Sequence, residues 1–157
     1  VISAFTEAGV PSILRAKLDE SNVNERDCLG RVPLHYAVLN NNEEMASFLI
    51  KSGADPNIQI FSRVTNNYKQ LINATDWSKL LQEMPTPDEA TALHIAVKNG
   101  RLELAKLLLQ NGAEVNARGF GDVTPLMLAV ANKRNTTEAI IKELIDYGAD
   151  VHLMDSQ

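Results

Sequence analysis

The side chains best equipped for chemistry in this sequence are three histidines, His35, His94 and His152, and one cysteine, Cys28. A zinc ion needs three or four such ligands converging on one point, in close spacings such as Cys-x2-Cys or His-Glu-x-x-His. Neither spacing occurs. Cys28 has no second cysteine to pair with, and His35 is the only histidine near it in sequence, so no motif frames it as a nucleophile. A Gly-rich phosphate loop and a Gly-x-Ser-x-Gly elbow are both missing. Gly119-Phe120-Gly121 is not preceded by a buried-strand pattern and reads as a turn. The sequence thus predicts no catalytic residue, no metal ligand and no cofactor, and the chain is expected not to be an enzyme.

Two of the histidines share a setting that points elsewhere. Pro33-Leu34-His35-Tyr36-Ala37 is echoed by Ala92-Leu93-His94-Ile95-Ala96, and again by Pro125-Leu126-Met127-Leu128-Ala129. Each phrase runs into an apolar helical pattern and then into Gly53-Ala54-Asp55, Gly112-Ala113-Glu114 or Gly148-Ala149-Asp150. Leu93 and Leu126 are 33 positions apart, whereas Leu34 and Leu93 are 59 apart, one period and 26 residues more. A fixed internal period predicts a stack of similar units.

The elements of one unit follow from its residues. Pro33 suits the first helical position, whose N–H needs no partner. Leu34, Ala37 and Val38 form an apolar stripe. Asn40-Asn41-Asn42 breaks that helix, and Glu43 and Glu44 open a second at the positive end of its dipole. Met45, Phe48, Leu49 and Ile50 supply its buried face, Gly53 stops it, and Asp55-Pro56-Asn57 turns the chain into an extended arm. One helix pair alone buries too little to offset its ordering entropy, so each pair must cover the next. The later units read alike, with helices at Leu102 to Gln110 and Thr137 to Tyr147. Three extra residues are expected around Lys133-Arg134-Asn135-Thr136.

These residues resemble the ankyrin repeat, whose 33-residue unit carries Gly-x-Thr-Pro-Leu-His-x-Ala, two antiparallel helices, Leu-Leu and Gly-Ala-Asp-x-Asn. Gly30 to Ala37 with Gly53 to Asn57 is one match. Thr91 to Ala96 with Leu108-Leu109 and Gly112 to Asn116 is a second, and Thr124 to Ala129 with Gly148 to Val151 a third. Val32, Ala92, Met127 and His152 depart from the pattern. The resemblance implies a mostly α fold, an ankyrin-repeat solenoid of stacked helix-turn-helix units with protruding hairpin arms and one long insertion between repeats. Its divisions are a partial repeat over 1–26, a repeat over 27–59, an insertion over 60–85, repeats over 86–118 and 119–154, and the start of a further repeat at 155–157. His35 and His94 are expected to bond backbone in the neighbouring hairpin.

The resemblance also implies a protein-binding module, its partner held on a concave face of arms and inner helices. By register, Arg31, Tyr36, Leu39 and Asn40 are its partner-facing residues in one unit, Lys98, Asn99 and Arg118 in the next, and Phe120, Asp122, Leu128 and Asn132 in the last. Tyr36, Leu39, Phe120 and Leu128 are apolar where solvent is expected. The inserted segment adds Tyr68 and Trp77, aromatic anchors of the kind that dominate interfaces, although packing onto the stack is the stronger expectation for most of its apolar side chains. A substrate-targeting module of a larger enzyme or of a pathogen effector is the alternative. Asn57 and Asn116 match the arm asparagine that an intracellular asparaginyl hydroxylase modifies in ankyrin proteins, with bracing of the arm turn as their expected main role.

Composition narrows the partner class. In 157 residues, 15 basic side chains stand against 20 acidic ones, giving a net charge of −5. Nucleic acid needs a concentrated positive field, so it is excluded as a partner. No apolar run approaches the ~20 residues of a membrane span, and no signal peptide is visible at Val1-Ile2-Ser3. The lone cysteine fits an intracellular, reducing compartment. The chain is expected to be a monomeric module within a longer polypeptide, because Ile2 and Phe5 at one end and Leu153 and Met154 at the other are poor polar caps.

Overall fold

The computed structural model describes residues 22–27, 30–61, 89–132 and 136–154. The partial repeat before residue 22, Cys28, Leu29, and the segment holding Tyr68 and Trp77 lie outside the described residues. Among the described residues there are six α-helices: α1 Pro33–Leu39, α2 Glu43–Lys51, α3 Ala92–Lys98, α4 Leu102–Gln110, α5 Pro125–Ala131 and α6 Thr137–Asp146. They pack as pairs, α1 on α2, α3 on α4 and α5 on α6. Helices α1, α3 and α5 form an inner row and α2, α4 and α6 an outer row, each touching the next. The fold is a mostly α repeat solenoid.

Local chemistry sets the helix ends. Thr91 and Thr124 accept, on their hydroxyls, the N–H of His94 at 3.5 Å and of Met127 at 3.3 Å. Pro33 and Pro125 occupy first-turn positions that need no donor. The Asn42 side chain caps α2 by accepting from Met45 N–H at 2.9 Å. The outer helices stop where Gly53 and Gly112 turn left-handed, at φ +90° and +86°. The next N–H, of Ala54 or Ala113, then folds back to Leu49 O at 2.9 Å or Leu108 O at 3.0 Å.

Leu34, Leu93 and Leu126 share one hydrophobic core with Leu49, Leu104, Leu108, Ile140 and Leu144. Ala37, Ala96 and Ala129, all buried, let inner and outer helices approach closely. Phe48 and Ile50 pack against that core only half-buried. The three extra residues of the last unit divide. Two lengthen the α5–α6 connection, which has five residues where the earlier ones have three, and one lengthens α6. The short connections turn at left-handed Asn41 and Gly100. The longer one leaves α5 with Asn132 extended, at ψ 116°. After α6, Val151–Met154 coils into a short 3-10 turn where an extended arm is predicted.

Candidate protein-docking face

The arms are held by bonds that recur with the repeat. Asp27 N–H donates to Arg31 O at 2.9 Å, and Gly119 N–H to Val123 O at 2.9 Å. At the equivalent place Ile60 N–H donates to Ala90 O at 2.9 Å, and Glu89 N–H to Ile60 O at 2.8 Å. Gly30 sits so near the next arm that a Cβ would overlap the carbonyl of Phe61, and its φ of +72° also favours glycine. Arg26 reaches across from Gly30 O at 2.9 Å to Gln59 O at 2.6 Å. The Gln59 amide continues the row to Arg118 O at 2.6 Å.

Asparagines bridge each arm to the following outer-helix turn. Asn24 donates to Gly53 O at 3.0 Å and accepts from Asp55 N–H at 2.9 Å. Asn57 does the same with Gly112 O at 3.0 Å and Glu114 N–H at 2.7 Å. Asn116 repeats it with Gly148 O at 3.2 Å and Asp150 N–H at 2.8 Å. Asn57 and Asn116 therefore brace the stack with both ends of the amide.

The histidines connect inner helix to arm, as the resemblance implies. His35 Nδ1 accepts from Val32 N–H at 3.1 Å and its Nε2–H donates to Ile58 O at 2.9 Å. His94 Nδ1 accepts from Thr91 N–H at 3.2 Å, and its Nε2–H donates to Val123 O at 2.9 Å. One nitrogen accepting and the other donating requires the neutral ring. Burial pushes both imidazoles down to about 4. Met127 takes this place in the last repeat, its sulfur 3.5 Å from Thr124 N–H.

Against this frame the residues expected to face a partner fall into groups. Tyr36 and Arg31 come together, the guanidinium 5.6 Å from the ring centroid. Tyr36 also donates its hydroxyl to the Asp27 carboxylate, and Arg31 N–H donates to the same carboxylate at 2.9 Å. Burial and this carboxylate raise the phenol's pKa above its ordinary value. Arg118 pairs with Asp122 at 3.6 Å, both exposed. Asn40 is exposed and bonds Tyr36 O at 3.0 Å, while Asn99 is half-buried and bonds Ile95 O at 3.0 Å. Lys98 is half-buried, and burial lowers its ammonium pKa. Leu39 is half-buried against the core.

Two expectations at this face change. Leu128 is not solvent-facing: it is 6% exposed and belongs to the core. Its equivalents are Tyr36 and Ile95. Only the tyrosine carries a polar atom, held out by Asp27, while Ile95 and Leu128 sink inward. Asn132 reaches back to Lys98 O at 2.8 Å, so its amide ties neighbouring repeats together. Phe120 lies in the 3-10 turn Phe120–Asp122, and its side chain, like Tyr68 and Trp77, lies outside the described residues.

Sequence reasoning missed Asp27 and Arg26. Arg26 shares its phase with Gln59 and Arg118, so the period itself could have exposed it. Asp27 meets Tyr36 across an arm, a pairing that no repeat position announces. Among the described residues no group of His, Cys, Asp and Glu could hold a metal ion, and no helix is long and apolar enough to cross a membrane.

Comparison with known proteins agrees with this geometry. Residues 64–155 match a family model of three ankyrin repeats, and residues 29–60 match a single ankyrin repeat. Alpha-latrocrustotoxin-Lt1a of Latrodectus tredecimguttatus is 29% identical over 112 residues, 67% of this chain and 8% of that protein. Inversin of Canis lupus familiaris is 30% identical over 125 residues, 80% of this chain and 9% of inversin. The B-cell lymphoma 3 protein homolog of Mus musculus is 27% identical over 148 residues, 87% of this chain and 32% of that protein. The chain thus spans a third or less of each of these relatives. Ankyrin repeats are a non-catalytic fold for protein–protein interaction. With the period, the paired helices and the bridged arms all in register, the chain belongs to the ankyrin repeat family.

Proposed function

We propose that this module captures a partner protein on the face formed by its arms and inner helices. The observation that carries the reading is the fixed row of arms, in which Arg26 and Gln59 link arm to arm and three asparagines tie each arm to the following outer-helix turn. A face already ordered loses little entropy when a partner docks. Arg31 with Tyr36 offers a cation and a ring as one anchor, and Arg118, Asp122, Asn40, Lys98 and Asn99 supply polar groups around it. Residues 60–85, with Tyr68 and Trp77, are candidates to add to partner capture in this reading. The partial repeat at 1–26, the repeats at 27–59, 86–118 and 119–154 and the start of a further repeat at 155–157 are the divisions it rests on. The module works inside the cell as a non-catalytic scaffold, and as a monomer within a longer polypeptide. Asn57 and Asn116 are its candidate hydroxylation positions.

The test is a photo-crosslinker placed singly at Asn40, Lys98 and Arg118, and at Glu138 and Lys142 on α6 as controls. Crosslinks to one partner from the first three positions alone are expected. Crosslinks of equal yield from α6 would discard this face. Arg118→Glu should weaken capture by about tenfold at an unchanged melting temperature.

A further inference from the structure

Two asparagines in this chain stand directly before glycine, Asn99 before Gly100 and Asn111 before Gly112. Asparagine is a thermolabile residue, and this pair is its most reactive setting. The backbone nitrogen of the following residue can attack the side-chain amide carbon, and glycine puts no Cβ in the way. Both asparagines cap the C-terminus of a helix, Asn99 on α3 and Asn111 on α4. Asn99 Nδ2–H donates to Ile95 O at 3.0 Å and Asn111 Nδ2–H to Leu107 O at 2.7 Å. Each amide is therefore released only when the last helical turn opens locally.

The surroundings of the two turns differ. Asn99 and Gly100 are half-buried, and the last repeat clasps their turn, Asn132 donating to Lys98 O at 2.8 Å and Thr136 to Gly100 O at 3.1 Å. Gly100 N–H is held by Val97 O at 3.0 Å. Asn111 and Gly112 are exposed, and Gly112 N–H reaches Leu109 O at 3.3 Å, a longer and weaker bond. A Cβ built on Gly112 would meet nothing within 4 Å, so the space around the attacking nitrogen is open. This turn is held from the preceding repeat by Asn57, which donates to Gly112 O at 3.0 Å and accepts from Glu114 N–H at 2.7 Å.

We infer that Asn111-Gly112 is a site of spontaneous deamidation, gated by the Asn57 bridge. With the bridge open, the Gly112 nitrogen gives its proton to water and bonds to Asn111 Cγ. The Cγ–Nδ2 bond breaks, ammonia leaves after taking up a proton, and a cyclic imide remains. Water then adds to one of the imide carbonyls, and that carbon's bond to the Gly112 nitrogen breaks. One water is consumed and one ammonia released, with no redox change. The product is an aspartate on the ordinary backbone or an iso-aspartate whose main chain runs through Cγ. Either one places a carboxylate at the negative end of the α4 dipole and lacks the N–H that bonded Leu107 O. The iso-aspartate also adds a methylene to the main chain just before Gly112 O and Glu114 N–H, the groups that Asn57 bridges. That bridge then cannot re-form as it was, and the turn stays loosened from the arm.

The experiment ages the 157-residue chain at mildly alkaline pH and follows ammonia release, with peptide mapping of both acid products at each Asn-Gly pair. Conversion at Asn111 should exceed that at Asn99 by about tenfold or more. Asn57→Ala should quicken conversion at Asn111 by about threefold or more and leave Asn99 unchanged. Asn116→Ala opens a bridge of the same kind at the next turn and should alter neither. Asn111→Gln should remove most of the ammonia release and hold the urea midpoint constant through ageing, while the midpoint of the parent falls. Equal or faster conversion at Asn99 overturns the proposal. So does a rate at Asn111 that Asn57→Ala leaves unchanged, or one that Asn116→Ala raises equally, since global unfolding then controls the reaction.

Discussion

The joints made by His35 and His94 and the last repeat, where Met127 stands, are one fold closed by two chemistries. In the first, a buried imidazole spends both nitrogens on backbone, tying helix start to neighbouring arm. In the second, a sulfur reaches only its own helix start. The last repeat compensates on the opposite side, where Asn132 reaches Lys98 O and Thr136 reaches Gly100 O at 3.1 Å. The difference teaches that apolar stacking is common to every unit, while polar bridges decide how tightly a given arm is fixed.

Truncation breaks the comparison most sharply. His94→Ala removes a buried ring, leaves Thr91 N–H without its acceptor and takes one of two donors from Val123 O, which keeps Gly119 N–H. It should cost about 3 kcal/mol, since each buried group left unpaired costs about 1–3 kcal/mol. Met127→Ala at the half-buried equivalent should cost about 1 kcal/mol, mostly lost packing. Urea midpoints of the two variants measure the gap, and equal losses would mean that the imidazole contributes only its volume.

Acid sharpens the same contrast. The unfolded imidazole titrates near 6.5, and the buried ones are pushed down to about 4. Between those values the unfolded chain binds more protons, so lowering the pH favours unfolding. The stability held by the neutral rings is complete above pH 6.5 and is lost as pH falls toward 4, by up to about 3 kcal/mol for each ring. His94→Met, which copies the last repeat, should reduce the slope of stability between pH 7 and 5 by about half. An unchanged slope would place the pH dependence outside these rings.

Much of this was legible because it is local. Caps at Thr91 and Thr124, breaks at Asn40 and Gly100, and stops at Gly53 and Gly112 are written within a few residues of the helix they bound. The two histidine bridges were legible through the ankyrin resemblance, which implies that role for His35 and His94. Leu128 was misread because exposure depends on what packs over a position. A leucine and a tyrosine in one register slot part company when only one has a hydroxyl to keep wet. Asp27 beside Tyr36, and Asn132 on Lys98 O, are pairings between elements, which spacing along the chain does not encode. Tyr68 and Trp77 lie outside the described residues, so their part in the face stays a proposal.

The arm asparagines give the smallest and most graded test. Asn57 bridges with bonds of 3.0 and 2.7 Å and Asn116 with bonds of 3.2 and 2.8 Å, yet both lie toward solvent. Water can replace much of what alanine removes, so each Asn→Ala change should cost about 1 kcal/mol. His152 has no such bridge among the described residues, and its N–H donates to Asp150 Oδ1 at 2.9 Å through backbone alone. His152→Ala keeps that backbone bond and should cost less than about 0.5 kcal/mol. The order Asn57, Asn116, then His152 follows from bond length and bond number. An inverted order in thermal denaturation would show that arm fixation comes from the Arg26 and Gln59 row, since those side chains bridge the same arms without touching the asparagines' partners.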